Sequence, residues 1–105
     1  MTRIKVSPEK IIIIGHSNYD DFGKDIVCAS ISSITTCTIN AILSFDKNAI
    51  KYNYNSGLVT IDILKKDETT KKLIDNMVNL FIELTNDYPK NIKVEREWII
   101  WNLWN

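Results

Sequence analysis

Residues 10–15 read KIIIIG, four isoleucines in a row closed by a glycine. A continuous β-branched run suits a strand buried on both faces. Gly15 ends the run, which places His16, the single histidine of the chain, at a strand terminus. At 105 residues there is room for one hydrophobic core, so residues 1–105 are expected to form a single domain.

The other elements follow from their own patterns. TRIKV (2–6) suits a short strand that Pro8 stops. SNYDDFGK (17–24) is a loop by composition. From Asp25 to about Phe45 the apolar residues Val27, Ile31, Ile34, Ala41 and Phe45 recur at helical spacing, and Asp25 is a good N-cap. SISSITTCTIN within that stretch is rich in β-branched and hydroxyl residues, which are mediocre helix formers, and 35–43 also alternates like a strand. Length and the absence of internal Gly or Pro favour helix. A helix this poor in propensity must be held by packing, so it is expected to be central and buried. AIKYNYN (49–55) and GLVTIDIL (57–64) alternate around NSG and read as an antiparallel hairpin. Asp67 or Thr69 opens a second helix with the stripe Leu73, Met77, Leu80, Phe81 and Leu84, ending before Pro89. NIKVEREWI (91–99) alternates as a last strand. The order β-β-α-β-β-α-β predicts an α+β fold, a two-layer or sandwich arrangement of a mostly antiparallel sheet with two helices.

Thirteen basic and thirteen acidic residues give zero formal charge, which argues against direct nucleic-acid binding. No apolar run is expected to reach the roughly 20 residues of a membrane span. MTRIKVSPEK is too polar for a signal peptide, so the expected location is cytoplasmic, where thiols stay reduced. Cys28 and Cys37 lie nine residues apart; on one helix they would face opposite ways, about 13.5 Å apart along the axis. A disulfide needs Cα atoms within about 7 Å, so both are expected as free thiols. One histidine and two distant cysteines make a poor metal set; no metal and no cofactor are expected.

His16 and Cys28 carry the reactive chemistry. A thiol nucleophile works as the thiolate, and free thiols titrate near about 8.5, so a site must favour ionisation. Cys28 is the third residue after Asp25, in the first helical turn, where unpaired N–H groups and the positive end of the helix dipole favour a thiolate. The same N–H groups can hold the oxyanion of a tetrahedral intermediate. His16 can reach Cys28 if the intervening loop folds back, and long loops at such junctions often carry function. Structural readings stand beside these. A cysteine near a helix start suits a buried small hydrophobe, a histidine beside a glycine suits a turn, and Asp25 suits a cap alone.

The segment Gly15-His16-Ser17, followed by Gly23-Lys24-Asp25-Ile26-Val27-Cys28-Ala29-Ser30-Ile31-Ser32, resembles the signature of the ribosomal-processing cysteine protease family (Prp). Members have Gly-His-Ala, a loop of similar length, then Gly-x-Asp-Ile-Val-Cys-Ala-Ala and a Ser. Ser17 and Ser30 stand where the family usually has Ala. The resemblance implies that Cys28 is the nucleophile and His16 its base. It implies as substrate the precursor of a large-subunit ribosomal protein, the twenty-seventh, whose N-terminal extension is removed. It implies a homodimer with a mobile loop between His16 and Cys28. Asp25, Gly15 and Gly23 fall in supporting positions, as does Ser32, one helical turn beyond Cys28, which lines the cleft or fixes packing.

Asp20 and Asp21, with Tyr19 and Phe22 beside them, are expected to grip substrate: the acids meeting basic residues downstream of the cut, the aromatics an apolar residue upstream. The competing reading is a solvated loop. WIIWNLWN places three tryptophans in the last eight residues; Trp98 is expected in the core, and Trp101 and Trp104 over a dimer seam. The alternative functions are a non-catalytic ribosome-associated binding module of the same fold and a different thiol hydrolase on the same pair.

Overall fold

The computed structural model describes residues 1–17, 19–21 and 25–96. Its elements are β1 (Thr2–Val6), β2 (Lys10–Ile14), α1 (Ile26–Phe45), β3 (Ile50–Asn55), β4 (Leu58–Ile63), α2 (Glu68–Asp87) and β5 (Ile92–Arg96). The expected α+β order holds. The strands form one sheet in the order β3-β4-β2-β1-β5. Three ladders are antiparallel, and β5 pairs parallel to β1.

The buried strand residues fall on one face. Ile4 sits opposite Ile13, Ile11 opposite Ile61 and Tyr52 also opposite Ile61, so alternate positions of neighbouring strands share that side. Val27, Ile31 and Ile42 of α1 and Met77 and Phe81 of α2 join the same core as Ile4, Ile11 and Ile61, and the two helices pack against each other. The fold is therefore two layers, with both helices on one side of the sheet. This corrects the expectation for the isoleucine run. Ile11 and Ile13 are buried, but Ile14 is 37% exposed, because no layer of described residues covers the far face.

The central, buried helix expected over 25–45 also needs correction. α1 buries Val27, Ile31, Thr35, Thr38, Ile39 and Ile42 and leaves the opposite side open. Phe45, its last residue, is 73% exposed, and Leu80 of the α2 stripe is also exposed. The poor helix formers are accommodated locally. Thr35 donates to Ile31 O at 2.7 Å and Thr38 to Ile34 O at 2.8 Å, so hydroxyls on the buried side are satisfied by their own helix. Contrary to the hydropathy expectation, α1 is long and apolar enough to cross a membrane by length and composition, with a mean hydropathy of 1.7. A helix packed on a sheet passes the same test, and α1 packs its buried side onto this one.

Asp67, rather than Thr69, caps α2, accepting the Thr70 N–H at 2.8 Å. The hairpin forms as expected: Asn55 pairs with Leu58 across Ser56 and Gly57, and Gly57 takes the φ of +73° that such a turn requires. Residues 97–105, with Trp98, Trp101 and Trp104, lie outside the described residues, as do Phe22 and Gly23.

Candidate active site

Asp25 starts α1 as the sequence suggests. Its backbone is extended and its Oδ1 accepts the Cys28 N–H at 2.9 Å, which makes Cys28 the third residue of the first turn. Its other oxygen, Oδ2, gathers the loop that follows β2: it accepts the Ser17 hydroxyl, the Tyr19 N–H at 3.1 Å and the Asp20 N–H at 3.4 Å. Partial burial pushes the Asp25 carboxyl up, but the bonds from Ser17, Cys28, Tyr19 and Asp20 outweigh it and hold the group below the usual carboxylate range. Ser17 is itself buried, and Asn91 donates its side-chain amide to the Ser17 carbonyl at 3.0 Å, pinning the loop start to the segment before β5.

His16 follows Gly15 at the end of β2. Gly15 has φ +90°, and a Cβ there would stand 2.8 Å from the Met1 carbonyl oxygen, so only glycine fits the close passage of the chain start. The Gly15 N–H donates to Gly57 O at 2.8 Å, tying the end of β2 to the β3–β4 turn.

These elements meet in a cleft of about 340 Å³ between α1 and the β3–β4 side of the sheet. Cys28, Ser32 and His16 all line it. Its floor is apolar, from Ile13, Ile31, Ile39 and Val59, and Tyr52 and Tyr54 of the edge strand β3 form its outer wall. No Asp, Glu, Lys or Arg is among its described lining residues. Two larger, more open hollows lie elsewhere, one between the helices around Ile26 and Leu84 and one beside β5 around Ile82 and Val94. Neither contains Cys28 or His16, so chemistry rather than size singles out the smaller cleft.

Among the described residues neither the His16 ring nor the Cys28 thiol has a hydrogen-bond partner, so the structure brings the two into one cleft without closing a bond between them. Both cysteines are free; Cys37 is exposed and outside the lining. The Cys28 N–H is already engaged by Asp25, which changes the expected oxyanion donors. The first-turn amides without a partner among the described residues are those of Ile26 and Val27.

The loop residues expected to grip substrate are placed differently. Tyr19 meets Tyr88 edge to face, ring centroids 5.2 Å apart, and Asp20 and Asp21 are exposed. None of the three lines the cleft. Sequence reasoning missed Ser17 as a partner of Asp25, and Gly57, Tyr52 and Tyr54 as cleft residues. Contacts between a turn, an edge strand and a loop far off in sequence leave no spacing signal. Among the described residues no group of three His, Cys, Asp or Glu could hold a metal.

Comparison with known proteins identifies the family. The family described as "Cysteine protease Prp" matches residues 1–93. The chain is 29% identical over 98 residues to the ribosomal processing cysteine protease Prp of Mycoplasma pneumoniae, covering 90% of this chain and 94% of that one. It is 26% identical over 87 residues to that of Staphylococcus aureus, 80% and 82% of the two chains. Its fold matches the crystal structure of the S. aureus protease in complex with a covalently linked product peptide, with a TM-score of 0.83 and 22% identity over 91% of this chain and 97% of that one. It also matches a structure from Streptococcus mutans, with a TM-score of 0.74 and 19% identity over 90% of each chain. With the family match running over residues 1–93 and His16 and Cys28 lining one cleft, the chain belongs to the ribosomal-processing cysteine protease family, Prp.

Proposed function

We propose that this chain is an endopeptidase that removes the N-terminal extension of a large-subunit ribosomal protein, the twenty-seventh, with Cys28 as nucleophile and His16 as base. The observation that carries this reading is the convergence of Cys28, in the first turn of α1, and His16, at the end of β2, on one cleft. The relatives' description as ribosomal processing proteases supports the substrate class.

The steps follow from the groups present. His16 takes the proton from Cys28 Sγ, and the thiolate attacks the scissile carbonyl carbon. Charge passes to the carbonyl oxygen, where first-turn amides of α1 and the helix dipole favour it. The C–N bond breaks as the imidazolium returns its proton to the leaving amine, and a thioester remains on Cys28. Water then attacks the thioester, His16 takes its proton, and the C–S bond breaks to release the carboxyl product and the thiol. Water and peptide bond are consumed and two peptides leave, with no other reactant.

The cleft follows α1 from Cys28 to Asn40, about 18 Å at 1.5 Å per residue, which accommodates about five extended residues. An apolar floor and a wall without charged groups suit an uncharged stretch of peptide. We further propose that the protein acts as a cytoplasmic homodimer, without nucleic acid or membrane. Incubating it with the precursor and following mass tests the reading: loss of a defined N-terminal peptide, abolished by Cys28→Ala, is the expected result. An uncut precursor with both proteins moves the reading to a binding module.

A further inference from the structure

Gly57 lies on the β3–β4 turn, remote in sequence from both candidate reactive residues, yet the space where its side chain would stand opens onto one of them. A Cβ built on Gly57 would stand 3.3 Å from His16 Nε2 and 3.8 Å from Cε1, so a side chain there would crowd that edge of the imidazole. The turn is anchored to the same strand end that carries His16, through the Gly15 N–H to Gly57 O bond of 2.8 Å and the Ile14–Leu58 pairing. No hydrogen bond among the described residues fixes the His16 ring, and His16 is exposed on its other sides. The space left by the absent side chain at Gly57 is therefore space that the ring edge borders in this position.

We propose that Gly57 is a positioning residue for His16: the missing side chain lets the imidazole lie against the hairpin turn and so holds it over the cleft that contains Cys28. This rests on reading His16 as the base. A side chain at 57 crowds a free, exposed ring rather than a packed backbone, so the ring gives way and the fold does not. The left-handed φ of +73° adds backbone strain of its own, which Asn tolerates better than Ala although both carry a Cβ. That difference separates strain from positioning.

The test is the rate of iodoacetamide alkylation of Cys28 against pH, in a Cys37→Ser background, alongside thermal stability. The titratable groups facing the pair are Asp25 at the helix start and Tyr52 and Tyr54 on β3. Gly57→Ala and Gly57→Asn should each lower alkylation near pH 6 several-fold, because thiol reactivity depends on a well-placed neighbouring imidazole, with Gly57→Asn the more stable of the two. A Gly57→Asn protein with an unchanged alkylation profile overturns the proposal, and this holds even if Gly57→Ala does not fold. His16→Ala, measured alongside, should remove the reactivity near pH 6; if it leaves the profile unchanged, the His16–Cys28 reading itself fails.

Discussion

Asp25 accepts the Cys28 N–H at 2.9 Å through one carboxylate oxygen and, through the other, the hydroxyl of Ser17, the residue after His16. One side chain thus joins the segment that carries the candidate base to the helix turn that carries the candidate nucleophile.

Removing that link should be felt in stability. Asp25→Ala takes away the cap of α1 and the acceptor of the loop, a loss of about 1–2 kcal/mol by the usual worth of an N-cap. In a domain of this size, each kcal/mol lowers Tm by about 4–8 °C. Thermal unfolding followed by circular dichroism checks this; an unchanged Tm would mean the bonds around Asp25 contribute nothing net.

The same carboxylate sets a pH dependence. Its folded-state pKa is lowered, so its contribution is complete above the unfolded value, near about 3.9, and is lost as pH falls through the folded value. The Tm gap between the protein and its Asp25→Asn variant should be widest at neutral pH and should shrink below about pH 4. A gap that stays constant down to pH 2 would contradict the charge-dependent bonding.

Cys37 is exposed on α1 and outside the cleft, so Cys37→Ser should cut precursor at the rate of the unaltered protein. A large loss of rate in that variant would move the nucleophile away from Cys28.

Tyr52 and Tyr54, 48% and 73% exposed, form the outer wall of the cleft. Replacing both by Ser should raise KM for the precursor several-fold while leaving Cys28 alkylation unaltered, since the wall binds peptide and does not touch the thiol chemistry. An unchanged KM would place the peptide elsewhere.

Asp20 and Asp21 stand outside that cleft. If they attract the basic region downstream of the cut, Asp20→Asn with Asp21→Asn raises KM at low salt and not at high salt, because exposed charges are screened within about 10 Å at 0.1 M. Equal KM values at low salt would leave the pair as a solvated loop, with Asp20 donating its N–H to Asp25 and accepting the Asp21 N–H.

Local signals carried the reading of the start of α1 and of the hairpin. Asp25 has a cap's chemistry at a cap's position, and Gly57 supplies the positive φ of a two-residue turn. Where a signal depended on what covers an element, it misled. Four successive isoleucines look alike in sequence, yet both helices settled on one face, so Ile11 and Ile13 are buried and Ile14 is not. Phe45 continues the α1 periodicity but ends the helix in the open. The parallel pairing of β1 with β5 and the approach of the β3–β4 turn to His16 join residues remote from one another in sequence, and the Ser17–Asp25 bond spans a loop; periodicity encodes none of them. For the candidate site, the pairing of His16 with Cys28 in one cleft was legible from the family-like segment, whereas the walls of the cleft were not.

The most direct measurement is the mass of the precursor ribosomal protein after incubation with the protein and with its Cys28→Ala and His16→Ala variants. Loss of a single N-terminal peptide with the unaltered protein, none with Cys28→Ala and a severely slowed loss with His16→Ala is the expected result. Cleavage that survives Cys28→Ala would contradict the assignment of the nucleophile and, with it, the proposed mechanism.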